Sequence, residues 1–210
     1  VKTDSATSLT NHIRANNLGL AVIMFSQGIP FFHAGDDILR SKSLDRNSYD
    51  SGDWFNRIDW SYLTNNWAVG LPLQGENGSR WPFLQPLLAN ASLQVNQAQI
   101  MGVNQQFREM LQIRRSSILL RLRTAQDISE RMDILNTGPS QIPGLLVYMV
   151  DDTTGTDIDG SFAGLVVLFN AQPNAVTYTE PALANLPLSL HPVLAASSDP
   201  VNRTSTYTAA

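Results

Sequence analysis

The run Asn11-His12-Ile13-Arg14-Ala15-Asn16-Asn17-Leu18-Gly19-Leu20-Ala21-Val22-Ile23-Met24-Phe25, then Ser26-Gln27-Gly28, then Ile29-Pro30-Phe31-Phe32-His33-Ala34 carries the fold in three pieces. Apolar side chains at Ile13, Leu18, Leu20, Val22, Ile23, Met24 and Phe25 suit a buried helix packed on a sheet. Ser26-Gln27-Gly28 stops that helix, with Gly28 available for a left-handed C-cap. Ile29 to Ala34 reads as a short buried strand. Pro30 fits only at its start, because proline lacks the ladder donor. Helix, glycine and short apolar strand is the order that an α/β barrel or doubly wound sheet supplies.

Outward from this core, a long loop is expected from Gly35 to about Pro86. Loops of that length are usually functional. Trp54, Trp60, Trp67 and Trp81 all fall inside it, interleaved with Tyr49, Phe55, Tyr62 and Phe83. Residues 97–115 predict a strong helix, with Ile100, Val103, Phe107, Met110, Leu111 and Arg114 on one face. After Ser117 the pattern becomes β-like. Leu145 to Val150 and Leu165 to Phe169 are strand runs, each followed by turn residues, and Val176 to Thr179 and Leu188 to His191 are weaker candidates. Such runs without helices suggest an antiparallel sandwich. The domain boundary is placed near Ser117 to Arg123, giving domains 1–118 and 119–210. Val201 to Ala210 reads as a strand cut short, and the polar start at Val1 as the edge of a piece of something longer.

Composition narrows the function classes. The 210 residues are 43% apolar and 15% charged, which supports a packed core. A net charge of −4 argues against nucleic acid and anionic membrane as partners. With no cysteine, disulfides and thiolate metal sites are excluded within these residues, and the compartment stays open. The longest apolar stretch, Leu18 to Phe25, is far short of the roughly 20 residues that cross a bilayer.

The segment richest in chemistry runs from Arg40 to Arg57. It combines fixed charge, hydroxyls, amides and aromatic rings directly after the expected strand. Sugar recognition uses these groups: carboxylate, amide and guanidinium for hydroxyls, and flat rings for the apolar faces of pyranoses. The other reading is that its alternating acids and bases pair with one another and pin the loop. His33, at the strand end, reads as a satisfied structural residue, as do His12 and His191. His33 with Asp36 and Asp37 has the composition of a metal cluster, but adjacent aspartates diverge around a turn. No nucleophile elbow supports a Ser-His-Asp arrangement, and no glycine-rich phosphate loop is present. Asn77-Gly78-Ser79, Asn90-Ala91-Ser92 and Asn202-Arg203-Thr204 match the N-glycosylation pattern, which matters only in a secreted protein.

Several of these residues carry a resemblance. Ser26-Gln27-Gly28-Ile29-Pro30-Phe31-Phe32-His33-Ala34-Gly35-Asp36 resembles the eighth barrel strand of the α-amylase superfamily. Leu39-Arg40-Ser41-Lys42-Ser43, Arg46, Ser48-Tyr49 and Ser51-Gly52-Asp53-Trp54-Phe55-Asn56 resemble more specifically its α-1,6-debranching members, the pullulanases and limit dextrinases. Asn65-Asn66-Trp67, Val69-Gly70-Leu71-Pro72, Ile113-Arg114, Ser116-Ser117, Asn136-Thr137-Gly138-Pro139, Pro143-Gly144 and His191-Pro192-Val193 extend the match over nearly the whole chain. The plant-type limit dextrinases look most similar among the subtypes, and a plant or algal member would be plastidial.

The resemblance implies the C-terminal end of a (β/α)8 barrel (helix 7, strand 8, a long loop and helix 8), followed by an antiparallel β-sandwich truncated at its end. The implied reaction is retaining hydrolysis of α-1,6 branch points in pullulan, limit dextrins and amylopectin. Such enzymes use an Asp nucleophile, a Glu acid and base, and a second Asp that stabilises the transition state. All three are expected on earlier barrel strands, the second Asp shortly before Val1, so no catalytic residue is assigned here. Arg46, Asn47, Ser48, Tyr49 and Asp50 are the implied substrate-binding residues, with Asn47 standing where the family carries Asp. His33, Asp53, Trp54, Asn56 and Trp81 are expected to brace the loop, and Ser41, Lys42 and Ser43 can do either. The segment Asn77 to Arg80 leaves an acidic sugar contact before Trp81 in doubt. No metal or cofactor is expected in this segment, while calcium remains open for the intact enzyme. The implied partners are a branched α-glucan and the same enzyme's remaining barrel and N-terminal domains. The rival classes are a non-catalytic carbohydrate-binding or interaction module, and a barrel enzyme of other linkage specificity.

Overall fold

A computed structural model describes residues 7–207. Two compact units are formed: one from the residues up to Asn17 with Phe32–Phe107, the other from Leu18–Phe31 with the residues from Arg108 onward.

The second unit holds the clearest core. Helix α1 (Leu9–Phe25) sets Leu18, Ala21, Val22 and Phe25, at helical spacing, against a buried cluster of Leu119, Leu122, Tyr148, Val150 and Phe169. The three-stranded sheet behind this core has the order β1 (Met132–Ile134), β2 (Leu145–Asp151), β3 (Gly164–Asn170), antiparallel throughout. In register, Tyr148 faces Val167 and Val150 faces Leu165. These side chains reach the core because alternate strand residues share a face. Both strong runs after Ser117 are therefore strands, and β1 is an addition that its short length hid. Asn136 pins the turn before β2, donating to Leu145 O at 2.6 Å and Ile142 O at 2.9 Å. Behind β2, the buried Asp152 carboxylate pairs with Arg131 and accepts from Asp159 N at 2.8 Å.

The stop after α1 is built as a lock. Gly28 is left-handed, with φ of 93°. The Arg114 guanidinium donates to Met24 O at 2.5 Å, Ser26 O at 3.1 Å and Gly28 O at 2.5 Å, so a cation satisfies the orphan carbonyls of the helix end. Burial lowers the Arg114 pKa from its ordinary value. Gln27 donates to Leu119 O at 2.8 Å and accepts from Leu122 N at 2.9 Å. The Tyr148 hydroxyl donates to Phe25 O, and burial pushes its pKa up.

Five expectations are corrected. Ile29 to Ala34 forms no strand, and Ile29 and Phe31 are 96% and 88% exposed. An extended segment becomes a strand only where a second strand answers its backbone groups, and none among the described residues does. Val176 to Thr179 and Leu188 to His191 are likewise not strands. Pro181, Pro187 and Pro192 remove ladder donors around them, and Pro181 and Pro192 instead open helical turns at Pro181–Leu183 and Pro192–Ala195. Pro200–Arg203 is a helical turn capped by Asp199, not a strand; residues 208–210 lie outside the described residues. In α5 (Gln97–Ser116), the buried positions are Ile100, Val103, Glu109, Met110, Ile113 and Arg114, whereas Leu111 is exposed on the flank.

The first unit contains the long loop. It carries single helical turns at Asp36–Ile38 and Ser48–Asp50, then α2 (Asp53–Asn56) and α3 (Gln74–Asn77). It ends earlier than expected, because α4 (Trp81–Leu88) takes Pro82 in its first turn, where no N–H donor is needed. Ile38, Phe55, Leu84, Ile100 and Val103 are its buried apolar residues, and Phe32 meets Phe107 edge-on at 5.0 Å.

Candidate functional site

The 39–56 segment is held in shape by a second arm of the same loop. Leu39, Ser43 and Leu44 adopt left-handed backbone, with φ of 56°, 51° and 63°. Non-glycine residues hold such conformations only where their surroundings over-determine them. Those surroundings are visible. Ser43, fully buried, donates to Gly70 O at 2.7 Å; Ser41 N donates to Asn65 O at 2.6 Å; Asn65 donates to Leu39 O at 2.8 Å. Ser41 Oγ in turn accepts from Ser43 N at 3.0 Å.

Asp45 organises the next turn. Its carboxylate accepts from Ser51 Oγ at 2.5 Å, Asn47 N at 3.1 Å and Asn77 Nδ2 at 3.0 Å. Burial alone would raise its pKa; these donors and the Lys42 ammonium outweigh burial and hold it below the ordinary carboxylate value. Lys42 donates to Ser48 Oγ at 2.6 Å, and Ser48 donates to Asn56 Oδ1 at 2.9 Å. Asn56 returns bonds to Ser48 O at 2.6 Å and Gly52 O at 3.1 Å, closing the loop on itself.

Within this frame lies a concavity of about 550 Å³, lined by Lys42, Asp45, Arg46, Asn47, Ser48, Tyr49 and Asn56. The Arg46 side chain is exposed there and has no hydrogen-bond or ion-pair partner among the described residues. Asn47 donates to Glu76 Oε1 at 3.2 Å, and its Oδ1 accepts from Tyr49 N at 3.4 Å. The Tyr49 ring is exposed, while Ser48 is buried with its hydroxyl already occupied. Asp50 sits on the same turn, exposed and outside the lining.

The expected bracing residues fall in several places. Asn56 is inside the network above. Trp81 Nε1 donates to Pro72 O at 2.8 Å. Trp54 has an exposed ring and is held through its backbone carbonyl, which accepts from Asn66 at 3.1 Å. Asp53 is exposed at the start of α2. His33 N donates to Asp36 Oδ2 at 2.9 Å, and its ring meets the Arg40 guanidinium at 3.1 Å. Asp37 turns instead to Asn104, 2.8 Å away, so the adjacent aspartates do diverge. Among the described residues no group of three metal-ligating side chains assembles.

Residue reading along the loop missed Glu76 and Asn77, which join the site from about thirty positions away. Asn77 carried two signals, the Asn-Gly-Ser pattern and its place in the segment before Trp81, and Glu76 carried none; Asn77 is 1% exposed, closed to glycosylation in this fold.

The arrangement offers donors, an amide and an aromatic face, which are the contacts hydroxyl-rich ligands use. It offers no acid–base pair: the one carboxylate in the lining, Asp45, is held in its ionised form by three donors, the opposite of a general acid.

A family model described as "Alpha-1,6-glucosidases, pullulanase-type, C-terminal" matches residues 62–210. "Pullulanase 1, chloroplastic" of Arabidopsis thaliana is 47% identical over 99% of this chain and 22% of its own length. "Pullulanase" of Klebsiella pneumoniae is 37% identical over 90% of this chain and 17% of its own. The chain thus spans about a fifth of the length of these curated relatives. Among solved structures, the maltotriose complex of PulA from Klebsiella pneumoniae superposes with a TM-score of 0.86, at 34% identity, over 93% of this chain and 21% of that one. PulA from Klebsiella oxytoca gives 0.85 at 35% identity, over 93% of this chain and 18% of that one.

Proposed function

Because the chain belongs to the pullulanase-type α-1,6-glucosidases, we propose that it is the C-terminal part of a starch-debranching hydrolase and that its loop concavity holds the glucan. The observation that carries this reading is Arg46: a guanidinium exposed in a concavity beside Asn47 and Tyr49, while the two other charged groups of the lining, Lys42 and Asp45, are engaged by Ser48, Ser51, Asn47 N and Asn77. Five donors in a rigid fork suit adjacent sugar hydroxyls, and the Tyr49 ring suits the apolar face of a pyranose. The solved maltotriose complex of the Klebsiella pneumoniae relative supports an α-glucan as the occupant.

Residues 1–118 are read as the end of a (β/α)8 barrel. The exposed Ile29 and Phe31 leave apolar surface for the rest of that barrel to cover. Residues 119–210, with the three-stranded sheet, are read as part of a β-sandwich. The nucleophile, the acid and base, and the stabilising Asp come from elsewhere in the longer polypeptide. There one carboxylate attacks the anomeric carbon and the other protonates the departing glycosidic oxygen. This segment contributes binding energy that orients the bond being cut. His33, Asp36 and Asp37 are turned to other partners, and calcium is left open for the intact enzyme.

The test is hydrolysis of pullulan by the full-length polypeptide. Release of maltotriose units is the expected product of α-1,6 cleavage. Cleavage confined to unbranched α-1,4 glucan, or binding of glucan without turnover, would overturn the reading in favour of another linkage or a binding module.

A further inference from the structure

The geometry points to Asn77 as a positioning residue for Arg46, acting from outside the concavity; the inference rests on the reading above, that Arg46 binds glucan. Asn77 ends α3, 31 residues beyond Arg46, and is 1% exposed. Every polar function of its side chain is engaged. Oδ1 accepts from Arg46 N at 3.1 Å, and Nδ2 donates to Asp45 Oδ1 at 3.0 Å and to Leu73 O at 3.2 Å. One amide therefore grips two consecutive residues of the binding loop, one by its backbone and one by its side chain.

That grip matters because of what the loop otherwise lacks. Residues 45–51 are only a single helical turn and its flanks, with no strand or long helix to fix them. The Asp45 carboxylate gathers Ser51 Oγ and Asn47 N, so the whole turn is organised around it. Asn77 ties that organised turn to α3. Without it the turn keeps its internal bonds and the exposed bond from Asn47 to Glu76 but loses its buried tie to α3, and the Arg46 backbone must be ordered when the glucan binds. Ordering a loop residue opposes binding, and a misplaced contact raises the barrel enzyme's barrier without unfolding it.

The chemistry supplies a sharp test in Asn77→Asp. The substitution is isosteric and keeps the acceptor for Arg46 N. It replaces the donor facing both Asp45 and Leu73 O with a second carboxylate, and Leu73 O loses its bond from the Asn77 side chain. Two carboxylates at that distance do not both ionise comfortably, and one takes up a proton as pH falls, restoring an O–H donor between them. The charged groups around the pair are Lys42, Arg46 and Glu76.

Measured on pullulan with the full-length enzyme, kcat/KM of Asn77→Asp is expected to fall about tenfold or more at pH 7, the scale of a lost hydrogen bond to a charged group. Relative to wild type, it should recover as pH is lowered and the shared proton is taken up. Asn77→Ala should fall similarly with no such recovery. In an Arg46→Ala background, Asn77→Ala should cost markedly less than it does alone, the remainder acting through Asn47 and Tyr49 on the same turn. If Asn77→Asp unfolds at the assay temperature, the Asn77→Ala cycle, run below that variant's melting point, decides the question by itself. Additive losses in that cycle, or a loss that is independent of pH, would overturn the inference. Inactive wild type, or an Arg46→Ala variant as active as wild type, would instead overturn the reading on which it rests.

Discussion

Arg46→Ala removes a guanidinium with no ion-pair or hydrogen-bond partner among the described residues. The backbone bond from its N–H to Asn77 Oδ1, at 3.1 Å, survives the substitution. So does the Asp45 network, whose donors are Ser51, Asn47 N and Asn77. The folded state therefore loses no bond, and stability should change by no more than about 0.5 kcal/mol. Transition-state binding loses at least one charge-assisted hydrogen bond, about 1.5–3 kcal/mol, or roughly tenfold to a hundredfold in kcat/KM. Arg46→Lys keeps the charge but not the fork and should fall between wild type and Arg46→Ala. The assay is kcat/KM on pullulan with a melting temperature on the same preparations. If kcat/KM is unchanged while the melting temperature drops, Arg46 braces the loop and the glucan reading of the concavity fails.

Other consequences follow from the same structure. Residues 1–210 purified alone should release no reducing sugar from pullulan, because the attacking and protonating carboxylates are assigned elsewhere; measurable release would sink that assignment. Asp152→Ala should destabilise the sheet unit by about 3–5 kcal/mol by leaving the Arg131 charge buried and unpaired, read as a lowered denaturant midpoint; a change within about 1 kcal/mol would place the pair in the class of solvent-screened bridges. His191 stacks on Phe162 and accepts from Val193 N at 3.2 Å through Nδ1, and burial lowers its pKa below the ordinary 6.5. The unfolded chain then binds the proton first, so the contribution of His191 is present above 6.5 and lost as pH falls through the lower folded value. Its ring resonances should titrate with a midpoint under 6.5, and a midpoint above that value would reverse the argument.

Local chemistry was legible wherever a residue's role depends on its near neighbours. The apolar spacing of α1 and α5, the runs of β2 and β3 and the left-handed Gly28 all follow from periodicity and steric freedom within a few residues. The cluster of charge, amide and ring at Arg46, Asn47 and Tyr49 was visible for the same reason, since one turn holds all three.

What only the tertiary structure decided is relational. Ile29 to Ala34 has the composition of a strand, but strandhood belongs to a pair of segments, and backbone groups without a partner stay in coil. Whether Asp45 would pair with Arg46 or leave it open was undecidable along the chain, where they are adjacent. It was settled by Asn77 and Ser51, which take up the carboxylate and leave the guanidinium exposed. Asn77 itself, to the eye a glycosylation pattern, became a buried clamp because the loop returns it to within 3.1 Å of Arg46 N. Sequence determines which groups are present and how neighbours turn. Which distant group satisfies a buried donor or acceptor is decided by the closed chain, because hydrogen bonds act over about 3 Å and carry no record of sequence separation.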